Sequence, residues 1–132
     1  MASPLPSSDA SAMCNVFNHA TSTGALQQRI DALAIGDRAV ARDVTRALIE
    51  TNRATLQYMW AARHAGLWGD LGRAAHRLAG SLRMLRCNRE IALTLRLERA
   101  ALERDARRVD GLLPIVTQAV DQLNEQLDHL LA

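Results

Sequence analysis

The stretch that decides the fold spans residues 71–85 and reads LGRAAHRLAGSLRML. Its leucines and alanines recur every three or four positions, which is the pattern of a helix with one apolar face. We therefore expect this helix to pack one side into a core and to expose the other side to water. The apolar positions are Leu71, Ala75, Leu78, Leu82 and Leu85.

His76 lies one residue past an apolar position, about 100° around the helix, so its ring is expected to point outward at the edge of the buried face. Most lone histidines on amphipathic helices are ordinary boundary residues. Here glycines stand one turn before and one turn after the histidine, at Gly72 and Gly80. Glycine inside a helix costs about 0.5–1 kcal/mol relative to alanine. The two glycines therefore indicate that something needs open access to the imidazole.

Capping residues and helix breakers divide the rest of the chain into further helices. The predicted helices run from Thr23 to Gly36, from Asp37 to His64, from Trp68 to Arg86, from Arg89 to Asp105, and from the Asp110–Pro114 boundary to the C-terminus. Pro114 is expected in a first turn, where its missing N–H costs little.

Three of these helices carry their own predicted apolar stripes. The stripe of the long second helix is Val40, Val44, Leu48, Thr51, Thr55, Met59 and Ala62. That of the fourth helix is Ile91, Leu95, Ala101 and Leu102, and that of the last helix is Leu113, Val116, Val120, Leu123, Leu127 and Leu130. Because the loops are short, consecutive helices should be antiparallel neighbours.

The predicted fold class is therefore all-α, an antiparallel up-down-up-down four-helix bundle with a short additional N-terminal helix. Residues 23–132 form this bundle, since the length suits a single core. Residues 1–22 are rich in Ser, Ala, Pro, Asn and Thr without periodicity, so they are interpreted as a flexible tail or linker.

Composition excludes several classes of protein. The formal net charge of +2 and the 3% aromatic content disfavour nucleic-acid binding. No apolar run is long enough to span a bilayer and the N-terminus does not resemble a signal peptide, so we expect a cytoplasmic domain without membrane contact. The two cysteines, Cys14 and Cys87, lie far apart in sequence and are expected to be reduced thiols.

Enzyme and metal-site motifs are not evident in the sequence. The four histidines do not pair at the spacing of a helical zinc site, so no metal is expected. Ser81 points about 140° away from His76 on a helix, which disfavours a hydrolase pair. Arginines surround the histidine at Arg73, Arg77 and Arg83. They form either an ordinary solvated face or a positive rim for an acidic partner or a phosphoryl group.

The residues around His76 resemble the histidine phosphotransfer (HPt) domain family over roughly residues 24–132. The matching positions are Ala75, His76, Leu78, Gly80 and Ser81, then Leu97 and Glu98, with Trp68, Leu71 and Asp105 at the helix boundaries. Within the family, the sequence most resembles the C-terminal module of unorthodox hybrid sensor kinases. Two positions depart from the family pattern, since Ala79 replaces its usual lysine and Arg86 its later glycine.

The resemblance implies a phosphocarrier in a multistep two-component phosphorelay. A receiver-domain aspartate would donate its phosphoryl group to His76, which would pass it to the aspartate of another receiver. The chain would lack kinase activity of its own, as a free protein or as part of a histidine kinase, and would act as a monomer. Mg²⁺ would be bound by the partner receiver and no cofactor by this chain. The residues expected to bind the partner or support the phosphoryl group are Gly72, Arg73, Arg77, Ala79, Gly80 and Arg83.

A second interpretation stays open from the sequence. Because the usual lysine is Ala79, the chain could instead be a helical module that binds a receiver domain or another protein without being phosphorylated. The two interpretations differ in whether His76 accepts a phosphoryl group.

Overall fold

A computed structural model describes residues 21–132 of the chain. Within this range the chain forms helices and connecting turns, with no strand, so the predicted all-α fold class is confirmed. None of the described helices is both long enough and apolar enough to cross a membrane. The helices are α1 (Thr23–Leu33), α2 (Arg38–His64), α3 (Trp68–Met84), α4 (Asn88–Leu102) and α5 (Ala106–Leu131).

The last four helices form a closed ring in which each packs against two neighbours. Helix α3 lies between α2 and α4, and α5 closes the ring by packing on both α4 and α2. The apolar stripes predicted for α3 and α5 line the shared core, with only Leu130 at its edge. This is the predicted four-helix bundle.

Helix α1 is the additional N-terminal helix, and it packs on α2 and α5 through its buried Leu26 and Ile30. Its Arg29 reaches the α3–α4 turn, where Nη1 donates to the carbonyl oxygens of Leu85 at 2.6 Å and Arg86 at 3.2 Å. The helix is capped by Ser22, whose hydroxyl accepts from the amide of Ala25, one residue before the predicted cap at Thr23. The interpretation of residues 1–22 as a tail falls, up to residue 20, outside the described residues.

The predicted start of the last helix is wrong by about one turn. Helix α5 begins at Ala106, because the Asp105 carboxylate caps it by accepting from the amide of Arg108 at 3.2 Å. Pro114 consequently lies inside the helix and not in its first turn. Its side chain is exposed, so water can reach the carbonyl of Asp110 that loses its helical hydrogen bond.

The predicted stripe of α2 is confirmed at Leu48, Met59 and Ala62, which are buried. Its first part is displaced, since Val40 is 43% exposed and the buried row there runs through Ala41 and Thr45 to Asn52. Asn52 Nδ2 donates to Asn124 Oδ1 of α5 at 3.1 Å, inside the core. A hydrophobicity pattern assigns such an amide to the surface, whereas its partner on a distant helix makes burial possible.

In α4 the predicted stripe is only partly correct. Ala101 is buried, but Leu102 is 64% exposed and Ile91 and Leu95 are half-buried. The positions that enter the core include Thr94, whose hydroxyl donates to the carbonyl of Glu90 at 2.7 Å. Because that local hydrogen bond satisfies the hydroxyl, the Thr94 side chain can face the core. Leu95 and Leu102 of the same helix then lie at or beyond the edge of the core.

The α3–α4 turn places a bulky residue in a left-handed conformation. Arg86 has a φ of 53°, similar to Gly66 (φ 70°) at the α2–α3 junction. A side chain in this region costs roughly 1–2 kcal/mol, which glycine avoids. The family that the sequence resembles has glycine at this position, and Arg86 bears the cost that glycine would avoid.

Replacing Arg86 with glycine should therefore stabilise the fold. We expect Arg86→Gly to raise the free energy of unfolding by about 1 kcal/mol, measured by urea denaturation. Arg86→Ala is the matched control, because it removes the same charge but keeps a Cβ at the same φ. Equal stabilities of the two variants would show that the left-handed turn carries no strain.

Candidate functional site

His76 lies in the middle of α3 and its side chain is 66% exposed. The neighbouring Ala75 and Leu78 are buried in the core, so they fix the rotation of the helix and leave the histidine at its outer edge. The predicted outward orientation of the ring is confirmed. A packed helix thus presents an accessible imidazole.

A carboxylate from the next helix holds one side of this ring. Glu98 of α4 places Oε2 2.9 Å from His76 Nδ1, and the glutamate side chain is only 20% exposed. An ionised carboxylate can only accept, so Nδ1 is the donor in this contact, and in the neutral ring the lone pair is then on Nε2. Among the described residues, Nε2 has no hydrogen-bond partner. The arrangement orients the ring and leaves Nε2 without a partner among the described residues.

Gly72 has a different role from the predicted one. It is buried, and a Cβ there would lie 3.1 Å from Leu102 Cδ2 and 3.8 Å from Ala101 Cβ. The interpretation of Gly72 as part of the partner surface is therefore wrong. Its small size leaves room for the Leu102 side chain of α4, one turn from the level at which Glu98 meets His76.

Ala79 and Gly80 differ from each other in their exposure. Ala79 is 0% exposed, so the interpretation that it contacts a partner is wrong for the structure as it stands. Gly80 is exposed, and a Cβ added to it would meet nothing within 4 Å. Of the two glycines that bracket His76, Gly80 is the one that leaves open surface beside the ring.

The three predicted arginines point in different directions. Arg73 forms an ion pair with Asp70 one turn earlier, and its guanidinium lies over Gly69, away from His76. Arg77 places its guanidinium carbon 5.9 Å from the ring centroid of Tyr58, on the α2 side. Arg83 is exposed, and its guanidinium makes no ion pair or hydrogen bond with any described residue. The structure therefore does not assemble a continuous positive rim.

Glu98 is the site residue that sequence reasoning did not select. A glutamate on an amphipathic helix usually belongs to its solvated face, so the sequence marks Glu98 only through the Leu97–Glu98 match. The structure shows that Leu97 is buried, which places Glu98 at the edge of the buried face of α4. No three residues of the metal-ligating types come together anywhere in residues 21–132.

Comparison with known proteins gives one result. The family model described as Hpt domain matches residues 43–132, which is more than half of the chain and includes both His76 and Glu98. No curated protein and no solved structure matches the chain. The family match and the four-helix ring together show that this chain belongs to the Hpt domain family, whose members have phosphotransfer roles in phosphorelays.

Proposed function

We propose that this protein carries a phosphoryl group on Nε2 of His76 between the receiver domains of a multistep phosphorelay in the cytoplasm. The observation that supports the proposal is the exposed imidazole whose Nδ1 is held by Glu98 at 2.9 Å. Phosphoryl transfer depends mostly on positioning and charge stabilisation. An oriented ring on a rigid helix supplies the positioning.

The chemistry follows from the protonation of the ring. The Nε2 lone pair attacks the phosphorus of an aspartyl phosphate, the Nε2–P bond forms, and the P–O bond breaks with its electron pair leaving on the aspartate carboxylate. The product is a phosphorylated imidazolium that keeps its proton on Nδ1. Glu98 faces that proton and stabilises the positive charge created by the attack. Reversal of the same step onto a second aspartate returns a neutral imidazole.

The partner supplies what the bundle lacks. The receiver would bring the acidic pocket and its Mg²⁺, so the bundle needs no kinase activity or bound cofactor. The surface around His76 leaves room for such a partner at Gly80. On the other side, α4 offers an open groove lined in part by Leu95, Arg96 and Leu102, next to Glu98.

The alternative function is a module that binds a receiver or another protein without accepting phosphate. The absence of a lysine at Ala79 is the feature that favours it. The His76–Glu98 hydrogen bond favours the carrier, since a purely docking surface does not need an oriented imidazole.

Phosphorylation should occur at His76 alone. We expect the protein to take label from a phosphorylated cognate receiver with Mg²⁺, and His76→Gln to take none, because glutamine lacks the imidazole nucleophile. His129→Gln, which changes an exposed histidine of α5, is the matched control and should be labelled like the wild type. Label on His76→Gln, or a wild type that binds receivers but accepts no phosphate from any, would refute the carrier function.

Glu98 should set the balance between phosphohistidine and phosphoaspartate. Glu98→Gln can still accept a hydrogen bond from Nδ1 but no longer neutralises the imidazolium. We expect it to lower the equilibrium share of phosphate on His76 about three- to tenfold, given the difference between charged and neutral hydrogen bonds. The measurement is the distribution of label at equilibrium with a receiver. The exposed Glu125→Gln on α5 is the control, and an equal effect there would argue against a specific role for Glu98.

Gly80 should matter for docking more than for folding. Alanine at this position should stabilise α3 by about 0.5–1 kcal/mol, because the space is open and glycine weakens helices. A long side chain, as in Gly80→Gln, should slow transfer from a receiver by crowding the surface beside His76. Gly111 is a matched control, since it is also helical and exposed with nothing within 4 Å. If Gly80→Gln and Gly111→Gln transfer phosphate equally fast, Gly80 does not face the partner.

A further inference from the structure

A phosphoryl group on His76 adds negative charge close to a carboxylate that already contacts the ring. The group carries up to two negative charges, and the opposite nitrogen of the ring already faces the Glu98 carboxylate at 2.9 Å. The single positive charge of the imidazolium between them offsets only part of this negative charge. The residue at the usual lysine position, Ala79, is apolar and 0% exposed. A cation from elsewhere on the surface would therefore stabilise the phosphoryl oxygens.

Two of the three arginines on α3 are engaged by other groups. The Arg73 guanidinium is paired with Asp70 and lies over Gly69, so it points away from His76. Arg77 lies about 100° around the helix from His76, and its guanidinium rests against Tyr58. Using either cation at the phosphoryl group would mean breaking an existing contact.

Arg83 is placed on α3 where its guanidinium can extend toward a phosphoryl group on His76. It stands seven residues after His76, so it lies within about 20° of the same line along the helix and about 10 Å further on. Long helical side chains lean toward the helix N-terminus, which directs Arg83 back toward His76. Between them on this face lie only Ala79 and Gly80, and a Cβ at Gly80 would meet nothing within 4 Å. The space beside Gly80 is therefore open to the guanidinium.

We propose that Arg83 supplies the positive charge that contacts the phosphoryl group on His76, in place of the lysine that this chain lacks. The inference rests on the proposed phosphocarrier function and assigns the residue that supports its phosphorylated state. Arg83 is exposed and has no partner among the described residues before phosphorylation, so the phosphoryl group would recruit it without competition.

The test separates charge support from docking by omitting the receiver. The whole protein is phosphorylated with a small phosphoramidate donor, and the phosphoryl group is titrated by phosphorus NMR. Arg83→Ala should raise the pH of its last ionisation by about 0.3–0.7 units, a two- to fivefold change typical of an exposed ion pair. Arg83→Lys should largely restore the wild-type value. Arg73→Ala and Arg77→Ala, the matched controls on the same helix, should leave it unchanged.

Each outcome is decisive. A wild type that takes no phosphate on His76 from phosphoramidate or from receivers refutes the proposed function and the Arg83 assignment with it. A wild type that is phosphorylated but titrates identically to Arg83→Ala refutes the Arg83 assignment alone. The assignment also fails if Arg73→Ala or Arg77→Ala shifts the titration as much as Arg83→Ala does. Circular dichroism confirms folding, because Arg83 also lies in the last turn of α3, where a cation favours the helix.

Discussion

The close packing of α3 on α4 is the constraint on which the site depends. Gly72 makes room at this interface for the Leu102 side chain, which a Cβ at position 72 would meet at 3.1 Å. One turn along the same interface, the packing of the two helices brings the Glu98 carboxylate to 2.9 Å from His76 Nδ1. The orientation of the imidazole is thus a consequence of helix packing.

This arrangement divides the tasks of the two ring nitrogens. Nδ1 is bound to the bundle through Glu98, and Nε2 remains available to a partner. The buried neighbours of His76 keep α3 from rotating, so the exposed ring has a defined direction without being enclosed. Such a site suits a reaction in which the partner contributes the pocket and this chain contributes one positioned nucleophile.

The structure shows the physical consequence of each departure from the family pattern. Arg86 occupies a turn with φ of 53°, so its replacement of glycine is a cost to stability and not a feature of the site. Ala79 replaces lysine at a position that is fully buried here, so a positive charge beside the phosphoryl group would have to come from the surface arginines. Of these, Arg73 and Arg77 already contact Asp70 and Tyr58, whereas Arg83 is uncommitted.

The sequence alone determined the fold class, the outward direction of His76 and the apolar faces of α3 and α5, because helical periodicity and local capping are encoded by neighbouring residues. It misplaced part of the buried faces of α2 and α4 and the roles of Gly72 and Ala79. Those depend on partners distant in sequence, as when Asn52 is buried by pairing with Asn124. The Glu98 contact likewise joins residues 22 positions apart. Only tertiary packing decided it, since the register between two helices is set by how their side chains interlock.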